Sequence, residues 1–355
     1  MSTNKEKVFI FDIVTAFKNR GDLLINRALI HSLRKYGKVM VTTDHLPAKF
    51  RDELELTPEE CVSNLKQCLK DNIYKYDVYK VGIPGHSFDK QPRYLAGIIE
   101  ILVTSIFKLL FRVNFLRVGT SFGPIHKYRV KIEKLKAKMY TLYGVRDNAS
   151  VELCAPSKMC YFPDLAFISP DIKPLEKSGN DESYHFLSFR AKFPDAAVTD
   201  TYVTNIIGKL KEFIQSNNVQ SIVIGYQVPE DKEPCQLICN ALNDLPNVKV
   251  KFLQEVLELD QAIDVIAKAE MVLSNRLHVI LPALIAGVPH VALTDSAQHK
   301  KICALYDSIG AGFVIHDVND ATAITVDRQN TRDSLLAISQ TQKQIAAQVF
   351  DARLK

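Results

Sequence analysis

The sequence lacks both glycine fingerprints that hold phosphates in common nucleotide-binding proteins. No GxGxxG follows the first candidate strand, and no GxxxxGK[ST] occurs anywhere. Dinucleotide and P-loop chemistry therefore lose their main support. HExxH is absent too, and the seven cysteines (Cys61, Cys68, Cys154, Cys160, Cys235, Cys239 and Cys303) include no CxxC pair. No metal site is expected from such spacing; Cys235 and Cys239 read as one core-facing side of a helix. The odd cysteine count argues against a secreted disulfide framework, so a reducing cytoplasm is the expected setting. Nor is there a strong charge of one sign. The 45 basic and 40 acidic side chains leave +5, well short of the footprint of a dedicated nucleic-acid binder, and no nucleic-acid partner is expected. Low-complexity tracts and repeats of solenoid length are missing, and Met1 to Asp12 does not show the ordered regions of a signal peptide.

What is present is a globular composition. Hydrophobic residues make up 47% and charged residues 24%, and at ~150 residues per domain the 355-residue chain predicts about two domains. Short β-branched or aromatic runs alternate with longer amphipathic stretches, the pattern of βα units stacking into parallel sheets. Strands are predicted at Val8–Ile13, Val39–Thr43, Val78–Val81, Leu116–Thr120, Tyr140–Val145 and Met159–Phe162, with helices at Asp22–Leu33, Tyr94–Phe111 and Lys127–Lys138. A polar stretch at 171–183 reads as a linker. The alternation then restarts at His185–Phe189 and runs to a strand at Gly312–Ile315, followed by an amphipathic segment at Arg332–Arg353.

The expected class is α/β: two Rossmann-like parallel-sheet domains facing a cleft, spanning 1–170 and 184–327. A C-terminal helix at 328–355 is expected to pack back on the first domain. Open parallel sheets bind ligands at their strand carboxyl ends, which locates the expected site.

One stretch raises a membrane question. Leu95 to Val118 is dense in Ile, Leu, Val and Phe, but Glu100, Lys108, Arg112 and Arg117 interrupt it before ~20 clean apolar residues accumulate. Its first reading is a largely buried helix leading into a buried strand. The second is a helix lying on a membrane surface, with Lys108, Arg112 and Arg117 toward anionic headgroups, which would make the protein peripheral at the inner membrane face.

Candidate chemistry clusters where strands hand over to loops. Asn19-Arg20-Gly21-Asp22 follows the first strand, where Gly21 allows a tight turn and Asp22 either caps the helix or faces substrate. The Gly82–Ser87 loop, with Gly85 and His86, and the Gly119–Pro124 loop, with Ser121, outline one rim of a pocket. Arg146-Asp147 reads as a helix cap with a surface ion pair, and Asp164 as either a cap or a ligand contact.

In the second half, Ser188-Phe189-Arg190 closes a strand with a charge, and Asn275-Arg276-Leu277-His278 puts a guanidinium and an imidazole at a helix start. Two cations at the positive end of a helix repel unless an anion fills the gap. With Lys300 or Lys301 they would hold a small ligand carrying two anionic groups, Gln227 and Asp231 adding neutral contacts.

The ordered set Gly21-Asp22, Gly119 with Gly123-Pro124, Arg146-Asp147, Pro163-Asp164, Ser188-Phe189-Arg190, Arg276-Leu277-His278 and Gly287-Val288-Pro289 resembles the polysaccharide pyruvyl transferase family, from about Phe11 to about Gly310. The resemblance implies a GT-B-like fold and the use of phosphoenolpyruvate, as co-substrate and without a cofactor, to build pyruvate ketals on sugars. It implies that Arg190, Arg276 and His278 line the phosphoenolpyruvate site. Ser188, Gln227, Asn275, Lys300 and Lys301 are expected on the donor side. Asp22, Gly21, His86, Gly85, Ser121 and Asp164 are expected toward the acceptor, a polysaccharide or a lipid-linked oligosaccharide. An imidazole titrates near neutrality and a guanidinium almost never releases its proton, so His278 is expected to do the acid/base work. Arg190 would orient the carboxylate or stabilise developing charge, with proton donation by it left open. Two other readings stay open: a GT-B glycosyltransferase using a nucleotide sugar, and a non-catalytic carbohydrate-binding relative.

Overall fold

A computed structural model describes residues 5–89, 94–174, 183–191 and 196–355, with backbone alone at 88–89 and 196–198. The chain forms two compact units. The first holds Met1–Phe17, Asp22–Ser169 and Gln342–Lys355, and the second Lys18–Gly21 and Pro170–Thr341. The division thus falls at Ser169/Pro170, and most of the predicted linker, 175–182, lies outside the described residues.

The elements of the first unit are β1 (Lys7–Phe11), α1 (Arg20–Leu33), β2 (Lys38–Thr42), α2 (Ala48–Asp52), β3 (Cys61–Val62), α3 (Leu65–Asn72), β4 (Asp77–Val81), β5 (Gly85–Asp89), α4 (Tyr94–Phe111), β6 (Asn114–Ile125), α5 (Lys127–Met139), β7 (Leu142–Val145), α6 (Asn148–Leu153) and β8 (Cys160–Tyr161). The strands are parallel in the order β3-β2-β1-β4-β6-β7-β8, with β5 pairing the far half of β6. β1 is buried along Val8, Phe9, Ile10 and Phe11, the run of apolar residues that a parallel strand covered on both faces requires. The second half of the predicted Gly82–Ser87 loop is instead the start of β5, because Gly85 turns at φ 101° and delivers the chain alongside β6. β3, only two residues long, carries no apolar period that a sequence could reveal.

The second unit contains β9 (His185–Ser188), α7 (Ala196–Ser216), β10 (Ser221–Ile224), α8 (Lys232–Asn243), β11 (Lys249–Phe252), α9 (Leu259–Lys268), β12 (Met271–Ser274), α10 (Leu277–Ala286), β13 (His290–Thr294), α11 (Lys300–Ser308), β14 (Ile315–Asp317) and the start of α12 (Arg332–Leu354). Its parallel order is β11-β10-β9-β12-β13-β14, the doubly wound arrangement whose winding reverses between β9 and β12. Leu187, Ile222, Ile224 and Leu273 of the sheet pack with Ile206, Leu210, Cys235 and Cys239 from the helices in one core. Gly287 ends α10 in the left-handed region at φ 73°. The predicted last strand is displaced: residues 312–314 form a 3-10 turn, and pairing with β13 begins at Ile315. The final part of α12, from Gln342, counts with the first unit, where Tyr161 donates to Gln342 and Tyr36 to Asp351, each at 2.7 Å.

α4 departs most from expectation. It covers the predicted residues, but Leu95, Ile99, Leu102 and Leu109 are exposed, so the reading of a largely buried helix is overturned. The polar residues of this helix occupy its packed side, as described below.

Candidate functional site in the second unit

β9 and β12 are neighbours at the winding reversal, where chains leave on opposite sides and open a crevice at the carboxyl edge. Arg190 follows β9 by two residues and Arg276 follows β12 by two. Polar side chains weld the two exits together. The Ser274 hydroxyl donates to the Ser188 carbonyl at 2.5 Å and accepts from the Arg276 N–H at 2.9 Å. Asn275 accepts from the Arg190 N–H at 2.7 Å and donates to its carbonyl at 2.6 Å, acting as a strand partner one step beyond the sheet. The same amide nitrogen lies 2.7 Å from the Tyr202 hydroxyl and 3.3 Å from His299 Nε2.

The charges at this edge do not balance. Asp231, itself buried, pairs with Arg276 through one terminal nitrogen. Burial pushes its carboxyl above the usual range while Arg276 pulls it back. Nε of Arg276 is buried with no hydrogen-bond partner among the described residues. Arg190 is held below the ordinary guanidinium range by partial desolvation and then by Arg276, which puts the two guanidinia within electrostatic reach of each other. Burial first, with Arg190 and Arg276 adding to it, holds His299 down to about 4. The two guanidinia thus face the Asp231 carboxylate, while Asp295 opposes the downward shift at His299. Asp231, expected as a neutral contact, is the counter-charge that aims Arg276.

His278 sits where α10 departs from helical geometry, at φ −86° and ψ 26°. Its carbonyl would ordinarily accept from the N–H four residues on, but that residue is Pro282, which has none. Gln227 takes the place of that donor, reaching the His278 carbonyl at 2.7 Å. The imidazole packs against Gly21, whose segment counts with the second unit. A Cβ on Gly21 would stand 2.2 Å from His278 Nδ1, so only glycine fits there. Beside this contact Arg20, Ser188, Gln227 and Val279 line a small crevice. Sequence reasoning passed over Arg20 and His299; a cation at a strand-to-helix turn was the available signal for the first, and nothing marked the second.

The lysine expectation shifts. Lys300 is exposed and Lys301 half-buried, whereas the buried member of that loop is His299.

The residues expected toward an acceptor lie in the first unit, apart from Gly21; Gly85, His86, Ser121 and Asp164 are brought together by the β5–β6 pairing and by Arg146. Asp164 accepts from Arg146 and from the Ala166 N–H, while Arg146 Nε donates to Ser121 at 2.7 Å. Arg146, Ser121 and Asp164 are all buried, so this is an internal network and not the surface ion pair expected of Arg146. Asp147 caps α6 through the Ser150 N–H. Asp22 lies within the first turn of α1 and accepts from Thr15 at 2.6 Å, which orders the preceding loop. His86, half-buried on β5, pairs in register with Ser121 on β6, one residue on from Gly85.

A pocket of about 370 Å³ occupies the first unit where its own sheet reverses, between β1 and β4. Asp12, Lys80, Gly82, Glu100, Arg117 and Lys136 are among its lining residues. Behind it Glu133, fully buried, accepts from Tyr143 at 2.5 Å and pairs with Arg129 at 2.7 Å. Lys136, Arg117 and Arg129 together hold Glu133 below the usual carboxylate range despite burial. Only the Gly82 loop of this pocket was legible in the sequence, because the cations Lys80, Arg117 and Lys136 come from three separate elements.

A family model described as polysaccharide pyruvyl transferase matches residues 19–296, which takes in Arg190, Arg276 and His278. The chain belongs to the polysaccharide pyruvyl transferase family. Among curated proteins no sequence matches it significantly. Solved structures are similar to this family member at low identity. A UDP-GlcNAc 2-epimerase from Methanocaldococcus jannaschii superposes with a TM-score of 0.55 at 15% identity, covering 95% of this chain and 92% of that one. The UDP-GlcNAc 2-epimerase of Neisseria meningitidis gives 0.48 at 14% identity, with 97% and 99% covered. E. coli ADP-heptose lps heptosyltransferase II gives 0.44 at 14% identity, with 95% and 98% covered. The pyruvyl transferase chain accordingly has a GT-B-like fold of two parallel sheets with flanking helices.

Proposed function

We propose that this pyruvyl transferase moves the enolpyruvyl-derived group of phosphoenolpyruvate onto two hydroxyls of a sugar, in a polysaccharide or a lipid-linked glycan, to form a pyruvate ketal. The observation that carries the reading is the pair Arg190 and Arg276 at one sheet edge, with Asp231 the carboxylate that acts on both guanidinium charges among the described residues. Phosphoenolpyruvate brings a carboxylate and a phosphate, and guanidinium groups bind both through paired hydrogen bonds. Arg276, aimed by Asp231, is assigned to the phosphate; Arg190, whose backbone Asn275 fixes, is assigned to the carboxylate.

The chemistry requires protonation of the donor's methylene carbon and attack of one sugar hydroxyl on the adjacent carbon. The second hydroxyl then takes the place of the phosphate at that same carbon. Phosphate leaves with the C–O bond electrons, and each attacking hydroxyl gives up its proton. His278 is the assigned proton carrier, since Gln227 fixes its carbonyl and Gly21 leaves its imidazole room. Arg190 stabilises the charge that develops beside the carboxylate.

Phosphoenolpyruvate should raise the unfolding temperature of the protein, and UDP-sugars at equal concentration should not. The reverse result favours a nucleotide-sugar glycosyltransferase. Phosphate release from phosphoenolpyruvate with a sugar acceptor, lost in His278→Ala, separates an enzyme from a non-catalytic relative.

A further inference from the structure

Helices on a parallel sheet ordinarily turn their apolar side inward and their polar side to water. α4 does the reverse. Leu95, Ile99, Leu102, Ile106 and Leu109 recur at alternating four- and three-residue steps, which is one continuous helix face. That face is open: Leu95 and Leu109 are each 77% exposed and Leu102 56%. The polar residues lie against α5. Glu100 pairs with Arg129 at 2.9 Å and with Lys136 at 3.1 Å, and Lys108 reaches the Met139 carbonyl. Thr104 is buried, its hydroxyl returned to the Glu100 carbonyl.

The charge around this face is one-sided. Residues 94–139 contain nine Lys or Arg and two Glu, a net +7, whereas the whole chain carries +5. Both acids are already matched, Glu100 as above and Glu133 by Arg129 and Lys136. Arg112, Lys127, Lys131 and Lys138 are exposed.

We propose that the outer face of α4 docks on an anionic lipid bilayer, the helix lying in the interface with its leucine and isoleucine stripe among the acyl chains. Apolar area supplies the insertion, and the surrounding lysines and arginines supply the attraction to acidic headgroups. The arrangement does not suit a membrane span. α4 is about 27 Å long, but it is the crossover that joins the parallel neighbours β5 and β6. Spanning would pull it off the sheet and expose the Glu100 cluster to hydrocarbon. A second copy of the chain is disfavoured by charge, because stripe against stripe brings two surfaces carrying Arg112, Lys127, Lys131 and Lys138 together. The proposal is independent of the donor chemistry, and its test contains no phosphoenolpyruvate.

The test is flotation of the full chain with vesicles of phosphatidylcholine alone or with about 30 mol% phosphatidylglycerol, at roughly 0.05 and 0.3 M salt. Anionic vesicles should carry at least roughly tenfold more protein than neutral ones, and added salt should reduce the difference. The double variant Leu102→Gln/Leu109→Gln should lose roughly tenfold or more of the binding while its unfolding temperature stays put, since both side chains are exposed. No flotation at low salt overturns the proposal, as does equal flotation by the double variant. Retention through alkaline carbonate washing overturns it in favour of a span. A dimer in sedimentation that the double variant disperses, without vesicle binding, overturns it in favour of a second copy.

Discussion

Replacing Gly21 with alanine inserts one methyl group 2.2 Å from His278 Nδ1 and 2.8 Å from its Cγ. Ordinary contact begins near 3.4 Å, so the imidazole must retreat by about 1 Å, a displacement that costs on the order of 10²-fold when the group moved is catalytic. That factor corresponds to ~2.7 kcal/mol of barrier. The expected stability loss from overpacking is ~1–3 kcal/mol, or several degrees of unfolding temperature for a unit of this size. Phosphate release from phosphoenolpyruvate with an acceptor should therefore show kcat down about a hundredfold. KM for phosphoenolpyruvate should stay within about threefold, because Arg190 and Arg276 do not move. In a His278→Ala background the clash is gone, so the stability cost of Gly21→Ala should nearly vanish, a coupling that a double-mutant cycle measures without any acceptor. A full stability cost in that background would show that the glycine answers to something else. An unchanged kcat would remove His278 from the reacting atoms.

Three further outcomes follow from the same geometry. Gln227→Leu leaves the His278 carbonyl without the donor that Pro282 cannot supply, costing ~1–3 kcal/mol in thermal or urea unfolding, and Pro282→Ala should restore part of it; an unchanged Gln227→Leu refutes that bond's role. Phosphoenolpyruvate at ~100 times Kd should stabilise the wild type by ~2.7 kcal/mol, and Arg276→Lys, weakening the donor tenfold, should cut this to ~1.4 kcal/mol at the same concentration; equal stabilisation would clear Arg276 of donor contact. Burial holds His290 and His299 at about 4 against an ordinary 6.5. The unfolded chain thus takes up these protons first as pH falls below 6.5, and stability drops until about pH 4 by ~1.4 kcal/mol per pH unit for each histidine. His290→Gln should lower the measured slope by that amount, and an unaltered slope would count against neutral burial.

How much of this was legible in the sequence depended on how local each feature is. Apolar alternation located β1, β4, β9 and β12, and the charged exits Arg190 and Arg276 followed from reading where those strands end. Features set by packing were not readable. Asp231, far from Arg276 in sequence, becomes its counter-ion only once α10 and the loop after β10 are folded. Arg146 read as part of a surface ion pair and Asp164 as a cap or a ligand contact, because the sequence does not show that Arg146, Ser121 and Asp164 meet in the interior. α4 misled for the opposite reason: its apolar density suggested burial, while Glu100, Thr104 and Lys108 claim the packed side.

The central claim is that the edge between β9 and β12 grips a doubly anionic three-carbon donor, and a crystal structure of the protein with phosphoenolpyruvate tests it most directly. The account predicts carboxylate and phosphate oxygens about 3 Å from guanidinium nitrogens of Arg190 and Arg276, with the methylene carbon beside the His278 imidazole. Phosphoenolpyruvate bound elsewhere, or a UDP-sugar occupying that edge while phosphoenolpyruvate leaves it empty, would contradict the account.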